Sequence, residues 1–136
     1  MPAEIEALIS ERWWPHDNTA AQRQNLEPLV PEEVVRRFVP DESTVILYPP
    51  PFATVRSVME HEGSFWHNPI AAVNEINPDL TVLIGDFGMG SDAPIVLDYS
   101  RGTNAPTVIR LKWSPDGNHW VELAPDLATF IAFLKG

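Results

Sequence analysis

The chain has 136 residues, 44% of them apolar, and its 19 acidic against nine basic side chains give a formal charge of −10. That length supports one domain with an ordinary core, since a domain of about 150 residues buries roughly 68–70% of the surface its unfolded chain exposes. The absence of cysteine excludes disulfides, thiolate metal sites and a cysteine nucleophile. The negative field opposes nucleic acid and anionic lipid and favours a cationic partner.

The first residues place acids inside the apolar pattern and contain no run long enough for a signal peptide or membrane span, so a cytoplasmic location is expected. Fourteen prolines, about twice the usual share, cut the chain into short elements. Over residues 3–13, Ile5, Leu8 and Ile9 fall on one helical face, with Pro15 expected to stop the helix. Residues 15–30 are polar and proline-punctuated and read as a connector. Pro31 then opens a short helix, PEEVVRRF, with Glu32 and Glu33 at its positive end and Arg36 and Arg37 at its negative end.

Residues 44–48 are rich in β-branched side chains and read as a strand ended by the prolines at 49–51. Val55, Val58 and Met59 have helical spacing, which predicts a helix in TVRSVMEHEG; AAVNEI reads as a short strand or a turn of helix. Residues 80–84 are an apolar run of strand length, expected to be central in the sheet and covered on both faces. Ile95, Leu97 and Tyr99 alternate with Val96 and Asp98, as Ile109, Leu111 and Trp113 do with Arg110 and Lys112; antiparallel pairing is expected to put both apolar sets on one side. The turn Ser-Pro-Asp-Gly at 114–117 leads to a further strand at 119–123. After Pro125 and Asp126, the stripe Leu127, Phe130, Ile131 and Leu134 predicts a helix closed by Gly136 and packed on the sheet. The fold class is α+β: a mostly antiparallel C-terminal meander packed by N-terminal and C-terminal helices.

The string GDFGMGSD holds Asp86-Phe87-Gly88, the metal-binding tripeptide of protein kinases. The chain lacks the other kinase motifs, and Gly88 and Gly90 do not complete a dinucleotide fingerprint. The structural reading is a turn in which Gly85, Gly88 and Gly90 admit positive φ or close approach of a neighbouring chain, while Ser91 and Asp92 bond nearby amides. The functional reading is that Asp86, Asp92 and Asp98 project together as an anionic patch. The two are compatible. His61, Glu62 and His67 are clustered, but a spacing of six matches no ligand pattern and no third ligand is indicated, so no metal or other cofactor is expected. There is no Gly-x-Ser-x-Gly elbow, and carboxylate abundance in so acidic a chain is not evidence of acid-base catalysis.

Trp113 and Trp120 flank the 114–119 turn and are expected to close the end of the core with their ring nitrogens bonded at its rim. Trp13-Trp14 and Phe65-Trp66 are adjacent pairs, so in a regular element the two members face opposite ways. An exposed tryptophan beside Glu60 and Glu62 would suit a protein-binding hot spot.

Taken together, Tyr48-Pro-Pro-Pro-Phe52, Phe65-Trp66, IGDFGMGSDAPIVLDY, VIRLKW and WVELAPDLATFIAFL resemble the SUKH superfamily, of the Smi/Knr type, over residues 44–136. The resemblance implies a small α+β domain that binds protein and has no enzymatic activity. In bacteria many such domains are immunity proteins neutralising secreted toxins, often nucleases, of polymorphic systems; some eukaryotic relatives regulate cell-wall synthesis. On the matching positions, Asp86, Asp92 and Asp98 are the candidate acidic contacts and Trp66 the candidate anchor. The expected partner is a basic toxin domain; the other readings are an intracellular regulatory scaffold and a small metal-dependent hydrolase using carboxylates with His61 or His67.

Overall fold

The computed structural model describes residues 1–62, 64–88, 93–102 and 104–136. Helix α1 (Ala3–Ser10) buries Ile5 and Leu8, as its apolar spacing requires. It stops before the expected residue 13, and not at Pro15. Arg12 turns left-handed at φ 61, and the N–H groups of Arg12 and Trp13 donate back to the carbonyls of Ile9 and Leu8, both at 2.9 Å. This is a Schellman closure, which satisfies carbonyls the helix end leaves open. The connector at 15–30 holds a helix that apolar periodicity does not signal, α2 (Asn18–Arg23), capped by Asp17 Oδ1, which accepts from the Ala20 N–H at 2.8 Å. Helix α3 (Glu32–Phe38) follows Pro31 with acids in its first turn and arginines in its last, as expected.

Strand β1 is shorter than anticipated (Ile46–Leu47), and α4 (Val55–Glu62) forms where Val55, Val58 and Met59 recur. The AAVNEI segment becomes two short 3-10 turns, Pro69–Ala71 and Val73–Glu75. Strands β2 (Thr81–Asp86), β3 (Pro94–Asp98), β4 (Thr107–Lys112) and β5 (His119–Ala124) then precede α5 (Leu127–Lys135). The five strands form one antiparallel meander in the order β1-β2-β3-β4-β5. The turn before β5 has the expected chemistry: Gly117 takes φ 127 and its N–H donates to the Ser114 carbonyl at 3.1 Å.

Two expectations about the sheet are corrected. The apolar run at 80–84 supplies β2, which lies second in the sheet; the central strand is β3, every residue of which is buried. Nor do the two alternating apolar sets share a side. Pairing sets Val96 opposite Ile109 and Ile95 opposite Arg110, so Ile95 and Leu97 face the way Val108 and Arg110 do, and Ile109 faces the other way with Val96. Each side has its own cover. Ile95, Leu97 and Val108 join residues of α1, α3 and α5, with Phe130 and Leu134 buried, in the larger cluster. Val96 and Ile109 pack with Val55, Trp66 and Ala71 and with half-buried Val58 and Met59 in the smaller one. A sheet covered twice has no need of a polar face, which is why strict alternation misleads here.

Side chains bond backbone groups on both outer edges. At β1 the buried Gln24 places Nε2 2.8 Å from the Leu47 carbonyl and accepts the Leu47 N–H on Oε1 at 2.9 Å, so its amide pairs as a neighbouring strand would. Trp14 Nε1 donates to the next carbonyl outward, that of Tyr48, at 2.8 Å. At β5, Glu75 Oε1 accepts the Trp120 N–H at 2.9 Å and Oε2 contacts His119 Nδ1 at 2.6 Å. These contacts occupy backbone groups that would otherwise template pairing with another chain. On the inner side of β1, a Cβ at Gly85 would lie 2.7 Å from the Ile46 carbonyl oxygen, the close approach expected of a glycine there.

Replacing Gln24 by Ala leaves both Leu47 backbone groups buried and unpaired. The expected loss is about 2–3 kcal/mol in urea unfolding, with faster hydrogen exchange at the Leu47 amide than elsewhere in the sheet. Unchanged Leu47 exchange would refute this role.

Candidate protein-binding site

The candidate residues Trp66 and Asp86 meet at one cleft of about 220 Å³, lined also by Tyr48, Ser64, Phe65 and Pro94. The segment after α4 brings Phe65 and Trp66 to the end of the sheet where β2 finishes. There Trp66 stacks on Trp120 with ring centroids 6.1 Å apart and planes 11° from parallel, and Phe65 meets it edge-on at 5.3 Å. Trp66 is only 6% exposed. Its ring is therefore core of the smaller cluster, and half-buried Phe65 is the more accessible member of the pair. Trp13 and Trp14 divide the same way, with Trp14 buried.

Asp86 is 2% exposed. Its Oδ1 accepts from the Gly88 N–H at 2.6 Å and the Ala93 N–H at 3.3 Å, so this carboxylate holds the ends of the turn between β2 and β3 together. The turn chemistry assigned to Ser91 and Asp92 is thus carried at least in part by Asp86; Ser91, Asp92 and Gly90 lie outside the described residues. Burial, with the negative charge of Asp86 nearby, pushes the Tyr48 phenol far above its ordinary range and keeps it a proton donor. Asp98 is 7% exposed and accepts the Ser100 N–H at 2.9 Å. It sits at the far end of the ladder: Asp86 pairs with Pro94 whereas Asp98 pairs with Thr81. Four residues of strand separate the two, roughly 13 Å. Asp86 and Asp98 therefore do not project together as one anionic patch.

The rings at the turn before β5 also separate. Trp120 bonds its Nε1 to the Ala71 carbonyl at 2.9 Å, as a rim tryptophan should, but Trp113 is 45% exposed. His61 and His67 each turn a ring nitrogen to a backbone carbonyl, of Ser57 at 2.7 Å and Met59 at 2.9 Å. Among the described residues no group of three or more His, Asp or Glu side chains is placed to hold a metal ion.

Sequence patterning gave no signal for the pair that links the helical layer to the sheet. Arg110, buried on β4, donates from Nη1 and Nη2 to the two carboxylate oxygens of Asp41, both at 2.9 Å, and its guanidinium lies 5.9 Å from the Phe87 ring centroid. The hydrogen bond from Arg110 holds the Asp41 carboxyl below the usual range, while burial and the neighbouring Asp41 push Glu42 up. Only an arginine amid strand residues hinted at this, and its partner is 69 positions away. A cleft of about 790 Å³ is rimmed by Glu4, Tyr99 and Asp126 beside Phe52. Burial and the Glu4 charge raise the Tyr99 phenol. No described helix is long and apolar enough to cross a membrane. Compared with family models, curated proteins and solved structures, the chain matches none.

Two outcomes follow. Trp66→Ala is expected to cost about 3–5 kcal/mol of stability in chemical denaturation, because it empties a packed site; a loss under about 1 kcal/mol would mean the ring is not core. Asp41→Asn leaves Arg110 buried without its counter-charge and is expected to cost about 1–3 kcal/mol at pH 7, discounted because the carboxylate is 41% exposed. Since the Asp41 pKa is lowered on folding, this contribution is complete above the unfolded value of about 4 and disappears as pH falls through the folded one. The gap between variant and parent should therefore narrow below about pH 4, as measured by urea midpoints across pH.

Proposed function

We propose that the chain is a non-enzymatic protein-binding domain, an immunity protein of the SUKH type that neutralises a basic, nuclease-type toxin. The observation that carries the reading is the distribution of charge. Glu4, Glu6, Glu27, Glu33, Glu60 and Asp116 are exposed and form no ion pair with any described residue. Surface carboxylates left without counter-charges raise the negative potential and speed encounter with a cationic protein, whose own phosphate-binding surface they would then cover. The resemblance over residues 44–136 supports the same reading, as does a fold that locks Asp86 and Asp98 into turns and leaves the acids of the helices facing outward. In this reading the binding surface is drawn from exposed acids with Phe65 at the cleft as the aromatic contact. Trp66 and Asp86 shape that contact from beneath, and Asp92 stays a candidate.

The test is a search of the neighbouring genes for a secreted toxin domain and measurement of its binding to this chain. A 1:1 complex is expected, with an association rate that falls about tenfold or more between about 0.05 and 0.3 M salt. A rate indifferent to salt, or no complex, would remove the support for this reading; substrate turnover abolished by one side-chain replacement would overturn the non-enzymatic part.

A further inference from the structure

In a chain so acidic, cations without partners are conspicuous. Arg36, Arg56, Arg101, Arg110 and Lys135 each pair with a carboxylate. Arg12, Arg23, Arg37 and Lys112 form no ion pair with a described residue, and the first two line one cleft of about 330 Å³ between the end of α1 and α2, together with His16, Trp13, Trp14 and Leu29. Glu27 also lines it but makes no ion pair with either arginine, and Asp17 is occupied in capping α2 and contacting His16 at 3.2 Å. The floor is rigid: Trp14 is held by the Tyr48 carbonyl and Gln24 by Leu47. Arg12 itself stands in the left-handed position of the Schellman closure, where glycine is the favoured residue. Local stability therefore does not account for an arginine at this position, and backbone strain of this kind collects at functional sites.

From this geometry we infer that the cleft is a binding site for a small organic oxyanion, a phosphate or carboxylate carried on a flat apolar body. A guanidinium offers planar paired donors that match either group, and these two form no ion pair with Glu27, the carboxylate that shares the cleft. The tryptophan and leucine walls supply the apolar surface such a body needs, and the volume is that of a small-ligand pocket. This site borders the proposed protein-binding surface at Glu27 but does not rest on that reading.

Titration of the folded chain with phenyl phosphate and with benzoate, followed by the Trp13 indole resonance, is expected to give saturable shifts below about 10 mM. Phenol, with the ring and no anion, should give none, and inorganic phosphate should bind more weakly than phenyl phosphate. Arg12→Gly and Arg23→Gln should each weaken binding about tenfold or more. Arg12→Gly should also melt no lower than the parent, and by up to about 4 °C higher, since glycine relieves the left-handed strain. Arg37→Gln, which removes an unpaired arginine outside the cleft, should change nothing. Phosphate binding without benzoate, or the reverse, assigns the group; no saturable shift with either, an equal loss in Arg37→Gln, or full binding by Arg12→Gly would overturn the site.

Discussion

A strand with no exposed face has to be covered twice. Burial of all five residues of β3 is the constraint from which most of this architecture follows. Ile95 and Leu97 require one apolar layer, which α1, α3 and α5 provide; Val96 requires another, built from α4 and the 3-10 turns around Ala71. Covering both faces leaves only the edges of the sheet open, and there backbone polarity has to be satisfied by something other than a strand. Gln24 does this at β1 and Glu75 at β5, the first with an amide that both donates and accepts, the second with a carboxylate that accepts one N–H.

The same constraint explains how charge is partitioned. A guanidinium on a doubly covered sheet lies in the interior unless something meets it, and Asp41 reaches Arg110 from the loop after α3 with both oxygens. Such a pair links two layers more than it adds net stability, because desolvating two charges offsets most of their attraction. Glu4, Glu6, Glu27, Glu33 and Glu60, which form no ion pair with a described residue, face outward. The cleft beside α2 reverses that pattern, with two unpaired arginines against aromatic walls.

Buried aspartates show why residue type alone is a poor guide to a binding site. Asp86, in a glycine-rich segment, and Asp98, at the end of an alternating strand, both look like exposed charge, yet each carboxylate accepts an N–H two residues onward, a local turn bond that aspartate makes readily. Phe65-Trp66 likewise reads as one ring in and one out, and nothing in the pair says which. The answer lies in Trp120, 54 residues later, on which Trp66 stacks.

Local chemistry determined much by itself. The stripe at Leu127, Phe130 and Leu134, the acids and arginines at opposite ends of α3 and the Ser-Pro-Asp-Gly turn are all set by periodicity, dipole or turn chemistry among near neighbours. The tertiary structure decided which face each alternating set would take, which strand would be central, where Arg110 would find its counter-charge and which ring of each aromatic pair would be buried. Those outcomes depend on contacts between residues far apart in the chain, and a period of two or 3.6 carries no record of what will cover the other side.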